Sequence, residues 1–269
     1  MKVKLINPNE VQNLFNNWGE FACTCYNTSK EYAEKVGRSC AKSEHMSGSR
    51  CEYIKFEIEG DRGTLEQIMR HEIGVRYDEI DKYAYQDRIE LILDINPNTI
   101  TKNMQSFRYV DKPGFSYVIP NSIKECEEAL LIYNNTMKTI DNNRIKIKEI
   151  LVSKGISKEK AIESANFLLP RATELTLTIG FTPEALIHFM HKRLCSRAQD
   201  EIREIAQEMK KRVAEVSEQF SKELVPHCDY LLWCPEGSKC CGRKESKEMT
   251  KKILQVGKNY NNQFNWISE

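Results

Sequence analysis

The sequence lacks any apolar run that approaches the roughly 18 residues required by a membrane-spanning helix. One of its longest apolar stretches extends only from Ala129 to Tyr133. It also lacks an excess of charge of one sign, because 40 Lys and Arg residues accompany 39 Asp and Glu residues. A chain with a net charge of +1 has no bulk field that would steer it to nucleic acid or to an anionic membrane. We therefore expect no membrane partner and no nucleic-acid partner.

Internal repeats and long Gly/Ser/Pro linkers are missing as well, so nothing in the sequence marks a boundary between domains. The segment from Met1 to Ile6 alternates polar and apolar residues, which predicts a β-strand rather than a signal peptide. The 269 residues, 40% hydrophobic and 29% charged, have the composition of a globular protein that buries a core. We expect one domain over residues 1–269, located in the cytoplasm.

Ten cysteines are many for a cytoplasmic chain. Four of them lie in the tail at residues 227–244, namely Cys228, Cys234, Cys240 and Cys241. Without a signal peptide, reduced thiols are their expected state. These thiols and His227 could form a zinc site, but their five-residue gaps differ from the usual spacing of about two to four. We therefore expect free or surface thiols and no metal.

An alternating segment covers residues 51–60. Ile54, Phe56 and Ile58 point to one face, which predicts a half-buried strand of an antiparallel sheet. Thr64 follows, with Gln67 three residues later, a pattern typical of a capping box at the start of a helix. The sequence thus predicts a strand followed directly by a helix.

A polar cluster is predicted on that helix. Gln67, Arg70 and His71 have the i, i+3, i+4 spacing that places side chains on one helical face. Polar groups gathered beside a buried strand make a candidate site. The alternative is an exposed polar face that carries no chemistry.

The second half of the sequence is mostly helical. Its patterns predict helices over residues 121–154, 157–168 and 198–224, and a further helix that begins at Thr182-Pro183. Together with the alternating strands, they predict an α+β fold in which an antiparallel sheet packs against long helices.

The helix after Pro183 carries several groups of interest. Arg193 shares a face with apolar residues, and a buried guanidinium needs an anionic or polar partner. That partner could be a ligand or, alternatively, Glu201. His188, His191 and Cys195 share a spacing that could ligate a metal, but we expect them on a solvated face.

Two polar segments supply guanidinium, hydroxyl and amide groups, which suit a phosphate or a carboxylate. They are Gln67-x-x-Arg70-His71-Glu72 and residues 101–109, Thr-Lys-Asn-Met-Gln-Ser-Phe-Arg-Tyr. Combined, they resemble the motif Arg-His-Arg-x-x-Ser-x-Asn-Glu-x-Ser-x-Arg of the flavin-dependent thymidylate synthases, with an insert at residues 75–100. The insert alternates over residues 89–95, which predicts an extra strand and turn or a short helix over the site.

Further segments resemble the same family in the same order. Residues 155–170 are similar to the helix that leads into the family's Leu-Pro. Residues 185–193 and 198–202 are similar to its late helix and its Ala-Gln-x-Glu-Ile block, and residues 234–242 to the tails of some bacterial members. The chain is accordingly identified as a member of the family. The resemblance implies the family's fold, a homotetramer, and conversion of dUMP into dTMP with methylenetetrahydrofolate as carbon donor, NADPH as reductant and FAD as cofactor.

The resemblance also implies roles for individual residues. The family positions that bind the nucleotide fall on Gln67, Arg70, Gln105, Ser106, Arg108 and Arg193. Those on the flavin side fall on Tyr53, Arg70, His71, Glu72, Thr182 and His188. Arg193 is the expected catalytic residue, because a fixed guanidinium stabilises the negative charge that develops on the pyrimidine ring as hydride and carbon are added.

Several positions depart from the family pattern. Glu72 and Glu184 stand where the family carries arginine near the flavin, which predicts repulsion of the diphosphate and weak FAD binding. Met104 and Asn166 replace residues on the nucleotide side. Two alternatives therefore stay open: a diverged member that modifies C5 of another pyrimidine nucleotide, and a non-catalytic nucleotide-binding protein that has lost FAD.

Overall fold

A computed structural model of the chain describes residues 1–43, 45–71, 100–106, 111 and 113–252. The strands in these ranges are β1 (Lys2–Leu5), β2 (Ile54–Asp61), β3 (Ile100–Met104) and β4 (Glu174–Phe181). The helices before β3 are α1 (Pro8–Gln12), α2 (Leu14–Tyr26), α3 (Ala33–Lys42) and α4 (Arg62–Met69). Those after β3 are α5 (Asn121–Lys124), α6 (Glu127–Ser153), α7 (Lys158–Ala165), α8 (Pro183–Arg193), α9 (Asp200–Ala214), α10 (Glu218–Ser221) and α11 (His227–Leu231). Short 3-10 turns cover Lys30–Tyr32, Met46–Cys51, Asn166–Leu168 and Gly237–Lys239.

The four strands form one sheet in the order β1-β2-β4-β3, antiparallel throughout. Phe56 on β2 lies opposite Ile179 on β4, and Ile58 lies opposite Leu177. All four side chains are buried. The structure therefore confirms the half-buried strand that the alternation in residues 51–60 predicts. The strand predicted at the start of the chain is β1. The edge strand β3 was not predicted.

The core lies on one face of this sheet, under α2, α4, α8 and α9. Trp18, Leu65, Phe189 and Met209, one from each helix, are fully buried there. Burial of large side chains of this kind stabilises a fold by roughly 1.5–3 kcal/mol each. The sheet and helices together confirm the predicted α+β class.

The later helices largely follow the sequence patterns. Both α5 and α6 lie within residues 121–154, and the chain turns at Gly155, whose φ of +85° favours glycine. Thr182 Oγ1 accepts a hydrogen bond from Ala185 N at 3.3 Å, so α8 begins where the Thr-Pro pair predicted. The predicted run over 198–224 divides into α9 and α10. No described helix is long and apolar enough to cross a membrane.

The predicted start of α4 is wrong. Asp61, not Thr64, caps the helix, because its Oδ1 accepts a hydrogen bond from Thr64 N at 2.8 Å. The helix ends at Met69, so Arg70 and His71 lie beyond its regular part. Arg70 is exposed and His71 is buried, so the two do not share the predicted polar face with Gln67.

Three predictions concern positions outside the described residues. They are the role of Glu72, the role of Arg108 and the structure of the insert, of which only Ile100 is described, at the start of β3.

Candidate functional site

A pair of histidines connects the end of α4 with α8. His71 Nε2 and His188 Nδ1 are 3.4 Å apart, and the His71 ring packs edge-on against Phe189 with centroids 5.1 Å apart. His71 is only 4% exposed. Burial, and then the neighbouring His188 and Arg193, lower the pKa of His71 to about 3. His71 is therefore a neutral ring at physiological pH, and the two residues predicted beside a flavin lie in contact.

Arg193 is the last residue of α8, one turn after Phe189. Its Nε atom is buried and has no hydrogen-bond partner among the described residues, and burial lowers the pKa of its guanidinium. An arginine stays charged in a protein, so this N–H is a cationic donor whose hydrogen-bonding capacity is unused within the described residues. The alternative partner, Glu201, instead accepts a hydrogen bond from Gln199 Nε2 at 2.7 Å.

The chain brings Gln67 towards Arg193. Gln67 Nε2 donates a hydrogen bond to Gln199 Oε1 at 2.9 Å. Ala198, which precedes Gln199, lines the same cavity as Arg193. Lys102 Nζ donates to the carbonyl oxygen of Met69 at 2.6 Å, which holds β3 beside the end of α4. Gln67, His71, His188 and Arg193 thus belong to one region of the fold.

A cavity of about 210 Å³ lies between the C-terminal end of α8 and the cysteine-rich tail, and we call it the tail cavity. Its lining comprises His191, Lys192, Arg193, Cys195, Ser196, Arg197, Ala198, Pro226, His227, Cys228, Cys234, Pro235, Glu236, Cys241 and Arg243. His191 stacks on His227 with ring centroids 5.1 Å apart. Burial lowers the pKa of His191 to about 4, assisted by the nearby His227 and His188. The expected solvated position of His191 is wrong because the tail folds back over α8.

Gln105 lies in a different cavity from Arg193. This second cavity, of about 330 Å³, is lined by Gln105 together with Glu59, Asp111 and Glu174, among others. Gln105 N donates to the carbonyl oxygen of Thr176 at 3.0 Å, which continues the pairing of β3 with β4. Ser106 follows and is exposed. The predicted nucleotide residues of one chain are therefore divided between two places.

A buried arginine that was not predicted from the sequence lies near the second cavity. Arg144 on α6 is fully buried and donates to Asp141 Oδ1 and Asn166 Oδ1, each at 3.0 Å. Asp111 accepts from Lys148 at 2.7 Å and from Arg144 at 3.3 Å. Burial acts to raise the pKa of Asp111, but these two hydrogen bonds lower it overall. The Asp141/Arg144 spacing on α6 was the only sequence signal for this network.

The flavin-side residues at the start of α8 have partners within the chain. Glu184 Oε2 pairs with Arg50 Nε at 2.7 Å, and Arg50 Nη2 is 3.4 Å from Glu184 Oε1. The charge of Glu184, one of the two predicted to repel a diphosphate, is thus offset by Arg50. Thr182 is buried and its hydroxyl caps the helix. Tyr53, just before β2, accepts a hydrogen bond from Asn7 Nδ2 at its carbonyl oxygen, at 2.8 Å.

The cysteines and acids of the described residues give no metal centre. All ten cysteines are free thiols. In the described part of the chain, no group of three or more His, Cys, Asp and Glu side chains is arranged to hold a metal ion.

Comparison with known proteins shows which family the chain belongs to. The family model for thymidylate synthase complementing proteins matches residues 11–218. A flavin-dependent thymidylate synthase from Nitratidesulfovibrio vulgaris is 30% identical over 207 residues, which cover 76% of this chain and 74% of that protein. One from Clostridium tetani is 32% identical over 160 residues, covering 56% of this chain and 63% of that protein. One from Pyrococcus furiosus is 28% identical over 230 residues, covering 83% and 82%.

Proposed function

Because the chain belongs to the thymidylate synthase complementing protein family, we propose that it converts dUMP into dTMP by reductive methylation at C5. The family predicted from the motifs is confirmed, and with it the class of enzyme. In this proposal methylenetetrahydrofolate donates the carbon, NADPH is the reductant and FAD is the cofactor.

One observation carries the proposal: the buried, unpartnered Nε of Arg193 at the end of α8. Addition of hydride and carbon places negative charge on the carbonyl oxygens and N3 of the pyrimidine. A guanidinium that is already partly desolvated stabilises this charge more than it stabilises the neutral ring. Arg193 therefore orients the uracil and lowers the barrier.

The residues on the flavin side fit an isoalloxazine and its diphosphate. When bound and reduced by NADPH, the flavin would supply the hydride. His188 offers a partly exposed ring, which contacts the buried and neutral ring of His71. Arg50 supports anion binding at the start of α8, because it offsets the charge of Glu184. This pairing removes one of the two repulsions on which weak FAD binding was predicted.

A homotetramer is part of the proposal. Gln105 and Arg193 line separate cavities in the described part of the chain, which supports a site assembled from more than one copy. Large apolar side chains are also exposed along α6 and after α7: Leu131, Ile132, Ile150 and Phe167, the last at 87%. Exposed apolar surface of this kind supports association between copies.

The remaining expectations concern organisation and location. A single domain is supported by the main hydrophobic cluster, whose members extend from Val3 to Leu224; a smaller cluster joins Phe115, Met137 and Leu169. A cytoplasmic location is supported by the ten free thiols, since a reducing compartment preserves thiols.

Product analysis tests the proposed function. Purified protein is incubated with FAD, NADPH, dUMP and methylenetetrahydrofolate, and the nucleotide is identified by mass. We expect dTMP, formed only when all four are present. Another methylated or alkylated pyrimidine nucleotide formed from an alternative substrate would support the diverged-enzyme alternative. A colourless protein that binds dUMP but neither binds FAD nor forms a product would support the non-catalytic alternative.

A further inference from the structure

The tail cavity gathers thiols that the proposed reaction does not use. Four of the ten cysteines line it: Cys195, which follows α8, and Cys228, Cys234 and Cys241 from the tail. Cys228 and Cys234 carry raised pKa values, in both cases with burial among the causes. Cys240, next to the cavity, donates a hydrogen bond from Sγ to the carbonyl oxygen of Lys244 at 3.2 Å.

Cys241 has a different environment. Its side chain is exposed, and the Ser196 hydroxyl, followed by the backbone N–H of Arg243, lowers the pKa of its thiol. The charge of Arg243 acts in the same direction. An exposed thiol next to donors and a cation has the environment typical of a reactive cysteine, because the thiolate is the nucleophile.

The same cavity is rich in positive charge. Lys192, Arg193 and Arg197 line it, and none of the three forms an ion pair with a described residue. Arg243 also lines the cavity but pairs with Asp229, and Glu236 contributes one negative charge to the lining. The excess of cations favours an anionic molecule over a neutral or cationic one.

From this arrangement we propose that Cys241 is a modification site that exchanges with small disulfides bearing carboxylates, whose charge the cations of the tail cavity recognise. The Cys241 thiolate attacks one sulfur of the small disulfide. A new S–S bond forms as the old one breaks, and the departing thiolate takes up a proton. Cys241 is oxidised to a mixed disulfide while half of the small molecule is reduced to a thiol.

The modification has a consequence for catalysis that rests on the proposed function. The attached group occupies the cavity that Arg193 lines, and its carboxylates compete for the guanidinium. Modified protein is therefore expected to bind dUMP more weakly, and a reducing agent restores the binding.

The test uses two small disulfides of opposite charge, oxidised glutathione and cystamine. Intact and peptide mass spectrometry follow the rate at which each cysteine of the full chain gains an adduct. We expect Cys241 to react with oxidised glutathione on the order of tenfold faster than Cys126, an exposed cysteine outside the cavity. Cystamine should react more slowly at Cys241, and added salt should reduce the difference between the two reagents.

Matched variants separate the elements of the proposal. Cys241→Ser should abolish the fast adduct and Cys126→Ser should leave it unchanged. Arg197→Gln should slow oxidised glutathione but not cystamine. Equal rates at Cys241 and Cys126, or equal rates with the two reagents, would overturn the proposal. If the adduct forms as expected while dUMP binding is unchanged, the modification site stands and the placement of the nucleotide at Arg193 fails.

Discussion

Arg50 and Glu184, which lie 134 residues apart in the sequence, form a two-point ion pair at the first turn of α8. Arg50 belongs to the 3-10 turn Met46–Cys51, so the pair links the segment before β2 to the helix that carries Arg193. The pair is partly exposed, which limits its contribution to stability to roughly 0.2–1 kcal/mol. Its larger effect is electrostatic, because Arg50 offsets the negative charge of Glu184 near the proposed position of the FAD diphosphate.

The first prediction concerns this pair. Arg50→Ala should weaken FAD binding several-fold, because Glu184 then repels the diphosphate without compensation. A flavin fluorescence titration at two salt concentrations measures the change, which should shrink at high salt. Lys2→Ala, which breaks the exposed Lys2–Glu59 pair, is the matched control and should leave FAD affinity unchanged. Equal affinities for the native chain and Arg50→Ala would show that the diphosphate is not near Glu184.

The second prediction concerns the pH dependence of stability. The pKa of His71 falls from its usual value of 6.5 to about 3 in the folded state, so the unfolded chain binds more protons between these values. Its contribution to stability is complete above pH 6.5 and is lost as the pH falls towards 3. By linkage, His71 makes the free energy of unfolding about 2 kcal/mol smaller at pH 5 than at pH 8. Denaturant unfolding at both pH values measures it.

Two variants separate the contribution of His71 to the pH dependence of stability from the contribution of carboxylates. His71→Phe should reduce the loss of stability between pH 8 and pH 5, whatever its stability at pH 8. His45→Gln, at an exposed histidine, should retain the native difference. The same difference in all three proteins would contradict the assignment.

Much of this fold follows from local patterns. The alternation of Ile54, Phe56 and Ile58 predicts β2 because the pattern itself depends on burial of one face. The start of α8 follows from Thr182 and Pro183, whose chemistry acts within one turn. The misplaced cap of α4 shows the limit of such reasoning, since Asp61 and Thr64 both suit a cap and only the path of the strand decides between them.

Long-range contacts could not be predicted in the same way. The Arg50–Glu184 pair, the Arg144 network and the stacking of His191 on His227 join segments far apart in sequence. No periodicity encodes them, because each depends on how helices and tail pack in three dimensions. The family resemblance predicted a set of site residues, and two of them, Arg193 and Gln105, line separate cavities.

The third prediction concerns Ser106 as a phosphate contact. Ser106→Ala should weaken binding of dUMP, because a hydroxyl donor to the anion is lost. Binding of deoxyuridine, which lacks the phosphate, should change far less. Calorimetry with both ligands measures the two affinities. An equal loss for nucleotide and nucleoside would contradict the assignment.

The fourth prediction concerns sites shared between copies. Ser106→Ala and Arg193→Ala proteins should each have low activity alone. Subunits mixed after mild dissociation and reassociation should regain activity, because some sites then receive a native Ser106 from one copy and a native Arg193 from another. Turnover of the mixture, compared with each variant treated alike, measures the gain. Without any gain, both residues would belong to a site within a single copy.

Turnover of Arg193→Lys tests the central claim most directly. Lysine retains the positive charge but loses the planar fork and the buried Nε donor, which has no partner in the described part of the folded chain. We predict that kcat for dTMP formation falls on the order of 100-fold, the loss typical of one donor to a developing charge, while the thermal midpoint stays close to the native value. Native turnover in Arg193→Lys would contradict the account, because the pyrimidine charge would then be stabilised by another group.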